Sequence, residues 1–393
     1  MSSIPAKPMS LMLVCGEPSG DQLGGQLMAA LKAIAGDSIT FTGVGGRAMA
    51  AQGLRTLFPL DDTAVMGLRE VVPKIPVILR RVREASDFAM ATRPDAVVLI
   101  DSPDFTHRIA RRLKRRDPSI RTIDYVAPQV WASRTYRARD MARNFDLVLT
   151  LLPFEPPFFE KFGLRTVFVG HPVIERAKFM TGGPELRARL GIVPDAPLLC
   201  VLPGSRTSEI RFILPAFRAA VAEIARRVPG LVTIMPTVPH VATRVREAAS
   251  DWPAPVHVVE NEADKFAAFK AANAALAASG TVTTELALAR TPMVTAYIVG
   301  GLTYALARWL FKLPHFTLAN LLLDRRAVPE FLQRNATTQA LADAVVPLLN
   351  DKQAAALQIA DLDEASKLLG EGGEDPSLRA AHAIVEFVQG RQR

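Results

Sequence analysis

The sequence predicts an α/β protein of two doubly wound, Rossmann-like domains, and three observations support this prediction. Short apolar runs alternate with helical patterns, the alternation starts again after Gly182-Gly183-Pro184, and 393 residues exceed one usual hydrophobic core. Such alternation is typical of parallel sheets that carry their sites at the carboxyl ends of the strands. We expect residues 1–182 and 183–365 to form two domains facing each other across a cleft, with a helix near 366–393 returning to the first.

In the first half, each strand is a short apolar run and each helix follows a strand. The predicted elements are the strand Leu11–Cys15, the helix Asp21–Ile34, the strands Ile39–Val44 and Asp95–Ile100, the helix Phe105–Arg116, and the strands Thr122–Val126, Leu147–Leu151 and Thr166–Val169. Glycine or acidic residues stand at three strand ends, in the segments 16–21 (GEPSGD), 43–46 (GVGG) and 101–104 (DSPD). These segments are therefore candidates for binding and catalysis.

The second half repeats this plan. Its predicted strands are Leu198–Leu202, Val232–Met235, Val256–Val259, Ala274–Ala277 and Met293–Ala296, with helices between them. Beyond Thr337 the apolar spacing is helical to the end of the chain.

The turn Pro203-Gly204-Ser205-Arg206 joins the apolar run Leu198–Leu202 to a helix-start pattern. Amides at a helix N-terminus attract anions, Gly204 would let a phosphate approach the backbone, and a guanidinium matches phosphate geometry. Glu209 could reach back to the same amides, as in a capping box. An ordinary α/β turn with a surface Arg206 is the alternative, so this turn alone does not identify a function.

A second anion-compatible turn, Ser279-Gly280-Thr281, precedes a helix that carries Glu285. Neither half has a G-x-G-x-x-G fingerprint after its first strand, and the Walker pattern is missing. These absences argue against nicotinamide or flavin dehydrogenases and against P-loop kinases and ATPases. Two such turns in one domain favour a sugar-nucleotide transferase, in which Arg206 and the Ser279 turn lie near the diphosphate and Glu285 accepts hydrogen bonds from the ribose.

The net charge of +8 comes mostly from residues 1–180, which hold 25 Lys and Arg against 18 Asp and Glu. The arginine runs lie near residues 80–83, 108–121 and 134–143. Solvated helix faces would explain these runs, and nucleic acid or an anionic membrane surface would also suit them. Because the sequence has no zinc-finger spacing and no RNP motif, we expect no nucleic-acid partner.

Taken together, these motifs resemble the lipid-A-disaccharide synthase family, inverting glycosyltransferases of the two-Rossmann GT-B architecture. The matching segments are GEPSGDQLGG (16–25), LDDTAVMGLREVV (60–72), PDAVVLIDSPDF (94–105), YVAPQVWA (125–132), LPFE (152–155), VGHP (169–172), LPGSRTSEI (202–210), ASGTVTTELAL (278–288) and LANLLLDRRAVPEFLQ (318–333). The resemblance covers nearly the whole chain. It departs at Ser133, where the family commonly has Trp, and at Ala319, where it commonly has Pro.

The resemblance implies transfer of 2,3-diacylglucosamine from its UDP-activated form to the 6-hydroxyl of 2,3-diacylglucosamine 1-phosphate. The products would be UDP and a β-1,6 disaccharide, formed by an inverting displacement without a metal or other cofactor. Such a transfer needs a base for the attacking hydroxyl. Asp101 is the first candidate, since similar enzymes carry an aspartate held to be catalytic here. Asp104 is the second, and its alternative role is the N-cap of a helix starting at Phe105.

The substrate-binding residues are predicted in two groups. The donor group is Gly204, Ser205, Arg206, Ser279, Gly280, Thr281, Glu285 and Asn320, and the acceptor group is Glu17, Ser19, Gly20 and Asp21. Asn320 matches a family position at the donor site, with a helix cap as its alternative. For the acceptor group, the alternative is a tight turn with an N-cap at Ser19 or Asp21.

Diacylated substrates belong in a bilayer, yet no apolar run in the sequence is long enough to span one. We therefore expect a cytoplasmic protein that docks on the anionic cytoplasmic face of the inner membrane. Val65–Val82 and Leu302–Phe316 mix bulky apolar residues with Arg and Lys and are the candidate docking segments, with amphipathic core helices as the alternative. Rival functions are a UDP-N-acetylglucosamine epimerase, another membrane glycosyltransferase, or a peripheral protein that binds a nucleotide sugar without turnover.

Overall fold

The computed structural model describes residues 8–64, 68–132, 136–300 and 314–390. The chain divides into two compact units: the first extends to Pro172 and resumes at Gly372, and the second comprises Val173–Glu371. Each unit contains a six-stranded parallel sheet with helices between the strands, which confirms the predicted α/β class. Within the described ranges, none of the helices has both the length and the apolar character needed to cross a membrane.

The sheet of the first unit has the strand order β2-β1-β3-β4-β5-β6. Its strands are β1 (Met9–Cys15), β2 (Ile39–Val44), β3 (Ala96–Ile100), β4 (Thr122–Tyr125), β5 (Leu147–Thr150) and β6 (Arg165–Phe168). β3 is buried throughout, as expected of a parallel sheet with both faces covered. β1 pairs with β2 on one side and with β3 on the other, so the topological switch point lies between β1 and β3.

Helices α1 to α6 complete the first part of this unit. They are α1 (Pro18–Ala35), α2 (Arg47–Ala51), α3 (Leu68–Thr92), α4 (Pro103–Arg116), α5 (Tyr136–Met141) and α6 (Pro156–Glu160). Helices α1 and α4 begin earlier than predicted, because a proline is favoured in the first turn, where its missing N–H is not needed. Glu17 and Ser102 therefore occupy the N-cap positions. The N-cap roles considered as alternatives for Ser19, Asp21 and Asp104 are therefore wrong.

The sheet of the second unit has the order β12-β11-β10-β7-β8-β9. Its strands are β7 (Leu198–Leu202), β8 (Val232–Pro236), β9 (Val256–Val259), β10 (Ala274–Ala278), β11 (Met293–Tyr297) and β12 (Glu330–Leu332). All five predicted strands are present. The sequence analysis missed the edge strand β12, whose three residues are too few to give a periodic signal. The switch point lies between β7 and β10, which pair directly.

The helices of the second unit cover both faces of its sheet. They are α7 (Gly183–Arg189), α8 (Thr207–Arg227), α9 (Pro239–Ala249), α10 (Glu262–Ala271), α11 (Thr281–Ala289), α12 (Leu318–Leu323), α13 (Thr338–Asn350) and α14 (Lys352–Leu368). The apolar core beneath them includes Phe217 of α8 and Leu341 of α13.

The C-terminal helix α15 (Pro376–Val388) belongs to the first unit, as predicted. Its buried Ala380 and Ile384 share an apolar cluster with Leu27 and Leu31 of α1. Because these side chains are fully buried, α15 completes the core of that unit rather than lying on its surface.

The division between the units falls at Pro172, whereas the sequence analysis placed it after residue 182. The intervening segment forms the 3₁₀ helix Pro172–Phe179, whose Arg176 bonds to Glu285 of α11. Gly182-Gly183-Pro184, after which the second domain was predicted to start, forms the start of α7. A Cβ on Gly183 there would lie 2.9 Å from the backbone of α10.

Candidate active site

At the carboxyl end of β3 the chain makes a left-handed turn through Asp101 and Ser102. Their φ angles are 55° and 47°, which non-glycine residues rarely adopt. The Asp101 N–H donates to the Tyr125 carbonyl (2.9 Å), and the Ser102 N–H donates to Asp101 Oδ1 (2.8 Å). Backbone strain of this kind persists only where the surroundings impose it, and it is concentrated at functional sites. The turn presents the half-buried Asp101 carboxylate at the switch point.

The start of α1 supports the same carboxylate. Ser19 Oγ donates to Asp101 Oδ2 at 2.8 Å, so two of the predicted strand-end segments meet. Gly20 makes this approach possible, because a Cβ there would lie 2.9 Å from Cys15 Cβ and 3.1 Å from the Ile100 carbonyl oxygen. Glu17 is half-buried nearby, and its burial together with the negative charge of Asp101 raises its pKa. Asp101 is therefore oriented by Ser19 and by its own turn, and it lies beside a second acid, Glu17.

The other predicted acids of this region have different surroundings. The buried Asp21 accepts hydrogen bonds from the amides of Gly46 (2.7 Å), Ala48 (2.9 Å) and Met49 (3.1 Å), so it caps the N-terminus of α2. This contact, which was not predicted, fixes the segment after β2 beside the start of α1. Asp104 is exposed in the first turn of α4.

A buried glutamate that the sequence analysis passed over is Glu155, in the LPFE segment. Its carboxylate accepts hydrogen bonds from Trp131 Nε1 (3.1 Å) and from the amides of Leu151 (3.2 Å) and Leu152 (2.9 Å). It thereby ties the loop after β4 to the end of β5. Burial outweighs these hydrogen bonds and raises its pKa to about 7. Both segments belong to the resemblance, but no sequence signal connects Trp131 with Glu155.

A second buried acid, Asp124, lies on β4 beside Leu99 of β3. His107 of α4 approaches it, with Nε2 3.4 Å from Asp124 Oδ1. Burial raises the pKa of Asp124, and the imidazole opposes this effect. In the described ranges, no group of three or more His, Cys, Asp and Glu side chains is arranged to hold a metal.

The second unit has a cavity of about 570 Å³ at the carboxyl ends of β7 and β10. This is the topological switch point, where doubly wound sheets bind their ligands. Seven of the eight predicted donor residues line the cavity: Gly204, Ser205, Arg206, Ser279, Gly280, Thr281 and Glu285. The structure thus brings together the two turns that the sequence analysis singled out.

Glu209 reaches back to the first turn, as predicted. Its Oε2 accepts hydrogen bonds from the amides of Ser205 (2.9 Å) and Arg206 (3.1 Å), and its Oε1 pairs with Arg206 Nη1 at 3.0 Å. Gly204 allows this, since a Cβ there would lie 2.4 Å from Glu209 Oε2, and its φ of +111° disfavours any side chain. The carboxylate therefore occupies the amides that were expected to hold a phosphate, while the Arg206 side chain remains 70% exposed.

The second turn offers open amides. In the described part of the chain, the N–H groups of Gly280, Thr281 and Val282 have no hydrogen-bond acceptor, while the Thr283 N–H bonds back to the Gly280 carbonyl. These amides lie at the N-terminus of α11 and line the cavity. A helix N-terminus with unsatisfied N–H groups favours an anion, so this turn is the better phosphate site of the two.

Glu285 is a buried carboxylate held between two cations. Arg176 Nη1 lies 2.6 Å from Oε1, and Lys265 Nζ lies 3.1 and 3.0 Å from the two oxygens. Only 3% of Glu285 is exposed, and a buried carboxylate requires such partners. Together with Arg206, the described residues here supply three cations against the carboxylates of Glu209 and Glu285, which favours an anionic ligand.

Asn320 does not line the cavity. It is fully buried inside α12, where its Nδ2 donates to the Val328 carbonyl and its Oδ1 accepts from the Val328 N–H, both at 2.8 Å. It is therefore not a helix cap, and its amide fixes the loop that leads to β12. This reciprocal contact spans eight residues and leaves no periodic trace in the sequence.

Several lining residues were missed by the sequence analysis. They are Pro236, Thr237, Val238, Lys265, Tyr297 and Phe316. Glu209 also lines the cavity, although it was predicted only as a partner of the turn amides. Thr237 and Val238 follow β8 and could have been found as a strand end, whereas Lys265 lies within α10 and has no motif. Ser133, residues 65–67 and residues 302–313 lie outside the described ranges.

Comparison with known proteins identifies one family. A model of the lipid-A-disaccharide synthetase family matches residues 11–383. The lipid-A-disaccharide synthase of Rhodospirillum centenum is 48% identical, covering 98% of this chain and 96% of the relative. That of Paramagnetospirillum magneticum is also 48% identical, covering 98% and 99%, and one from Rhodopseudomonas palustris is 42% identical, covering 96% of each chain.

Solved structures share the fold at low identity. The UDP complex of MnaA from S. aureus is similar with a TM-score of 0.63 and 14% identity over 97% of each chain. MurG from Acinetobacter baumannii has a TM-score of 0.57 and 14% identity, covering 98% of this chain and all of its own. At such identities the likeness concerns the fold alone, and it confirms the predicted GT-B class.

The shifted pKa of Glu155 predicts a pH effect on stability. A carboxyl whose pKa is about 7 when folded and about 4.5 when unfolded binds its proton more tightly in the folded state. Its contribution is complete below about pH 4.5 and is lost as the pH rises through about 7, at a cost of about 3 kcal/mol. The free energy of unfolding of Glu155→Gln, measured with urea between these pH values, should not show this loss.

Glu160→Gln, at the exposed last residue of α6, the helix that Glu155 precedes, is the control and should keep the wild-type pH dependence. If Glu155→Gln and the wild type lose stability in parallel over this range, Glu155 does not titrate there.

Proposed function

The chain belongs to the lipid-A-disaccharide synthase family of glycosyltransferases, and from this premise we propose its reaction. It transfers 2,3-diacylglucosamine from the UDP-activated form to the 6-hydroxyl of 2,3-diacylglucosamine 1-phosphate, giving UDP and the β-1,6 disaccharide. The observation that carries the proposal is the family match across residues 11–383, which spans both units. Release of UDP that requires both lipid substrates is the test. Release without the acceptor, or epimerisation of the donor sugar, would favour a rival function.

The second unit holds the donor. The diphosphate contacts the open amides of Thr281 and Val282 and the guanidinium of Arg206, which stabilise the charge that develops as UDP leaves. Arg176 and Lys265 keep Glu285 ionised and oriented, so that it accepts hydrogen bonds from the ribose hydroxyls. Because these groups supply positive charge themselves, the proposed displacement is metal-independent.

The first unit supplies the base. Asp101 is the better candidate because Ser19 and its own backbone turn hold the carboxylate in one orientation at the switch point. Asp104 is exposed and has no comparable support. In the reaction, Asp101 removes the proton of the 6-hydroxyl as that oxygen attacks the anomeric carbon, and the bond to UDP breaks on the opposite face. Glu17, beside Asp101, faces the acceptor.

The protein docks on the anionic cytoplasmic face of the inner membrane, where its diacylated substrates lie. Of the two candidate docking segments, Val65–Val82 is described from residue 68 onward as part of α3, and it exposes Ile75 and Leu79 to solvent. Such side chains beside basic residues suit a membrane interface. Most of Leu302–Phe316 lies outside the described ranges.

Replacing the base should slow the chemical step. Asp101→Asn keeps a side-chain acceptor for the Ser19 hydroxyl but cannot take a proton, so kcat should fall by about 10³-fold with little change in KM for the acceptor. Steady-state UDP release in detergent micelles measures this. Asp104→Asn is the matched control and should stay within about threefold of the wild type. The reverse pattern would make Asp104 the base.

The positive charge of Arg206 should be required for efficient use of the UDP donor. Arg206→Gln removes a cation that stabilises the leaving diphosphate, so kcat/KM for the UDP donor should fall by about 10²-fold or more. Arg218→Gln, further along α8 and paired with Asp251, is the control and should have no effect. A normal rate and normal UDP affinity in Arg206→Gln would remove Arg206 from the site.

A further inference from the structure

One surface of the first unit is a groove of about 350 Å³ between α3 and α4. Its lining residues are Leu79 of α3 and Arg108, Arg111, Arg112, Arg115 and Arg116 of α4. The arginines follow a spacing of three, four, seven and eight residues from Arg108, which places them on one face of the helix. In the sequence this run suited a solvated helix face, nucleic acid or an anionic membrane surface, and the proposed reaction does not use it.

The groove carries more positive charge than its neighbours balance. Arg111 pairs with Asp140 at 2.6 Å, and Arg112 and Arg116 share Asp87. The five guanidinium groups are therefore paired with only two carboxylates among the described residues. In the described ranges, Arg115 forms no ion pair, and Arg108 donates its Nε only to the Asp104 carbonyl.

Apolar side chains adjoin this charge. Ile75 and Leu79 lie one turn apart on α3 and are 44% and 39% exposed, so together they give α3 a small apolar patch in solvent. Guanidinium groups bind phosphate oxygens in pairs, and exposed aliphatic side chains beside cations suit the boundary between lipid headgroups and acyl chains. Among the described residues no aromatic side chain lines the groove, so they offer no platform on which nucleic-acid bases would stack.

We infer that the groove binds the phosphate of an anionic phospholipid in the bilayer, with Ile75 and Leu79 entering the headgroup boundary. The inference rests on the proposed membrane docking and names the lipid contact that provides it. Arg108 and Arg115 supply the charge that no carboxylate of the described chain neutralises. The electrostatic part of this attraction should weaken as salt rises.

The test uses the full chain with Arg108→Gln and Arg115→Gln combined. Each basic residue near an anionic surface strengthens binding roughly fivefold, so the variant should bind vesicles of phosphatidylcholine with phosphatidylglycerol about twenty-five-fold more weakly. Co-sedimentation measures this, and pure phosphatidylcholine vesicles should not distinguish the proteins. Arg244→Gln with Lys352→Gln removes two exposed charges of the second unit and should bind like the wild type. Thermal unfolding checks that all variants fold.

Wild-type binding of the groove variant to phosphatidylglycerol vesicles would overturn the inference. A raised KM for the acceptor in micelles, with unchanged vesicle binding, would also overturn it and would assign the groove to the acceptor phosphate. So would a preference of the wild type for duplex DNA that the variant loses. Sugar transfer in micelles distinguishes the two proposals. The groove variant should turn over normally in micelles. If the wild type showed no transfer there, the proposed function would be contradicted and the lipid contact would not.

Discussion

The first unit depends on one strained turn, the left-handed backbone at Asp101 and Ser102. The two left-handed residues separate β3 from α4, which begins at Pro103, and they leave the carboxylate at the edge of the sheet. The close approach of α1, possible only with Gly20, then brings the Ser19 hydroxyl to that carboxylate. The start of α4 and the orientation of the Asp101 side chain thus both follow from this turn.

In the second unit, charged side chains organise the site. Glu209 satisfies the amides of the first turn, which leaves the Arg206 guanidinium to face the cavity, while the open amides of Thr281 and its neighbours provide a neutral anion site. Glu285 stays buried because Arg176 and Lys265 compensate its charge. These groups therefore give the cavity a preorganised environment for an anion.

Local sequence patterns predicted the strands and the two donor turns, since a buried parallel strand is a short apolar run and sites follow its carboxyl end. They did not predict contacts made across the fold. Asn320 pairs with Val328, Asp21 caps α2, and Glu155 bonds to Trp131, and each depends on tertiary structure rather than on spacing. The helix starts were misplaced because the prolines, not the polar residues after them, begin the helices.

In the proposed reaction, a single displacement occurs in which Asp101 takes the proton while the second unit holds the departing UDP. The stereochemistry of the product tests it most directly. With an α-linked UDP donor, the anomeric carbon–proton coupling in the NMR spectrum of the new glycosidic bond should identify a β linkage, because one displacement inverts the configuration. An α linkage would require two displacements through a covalent intermediate, and it would contradict the account.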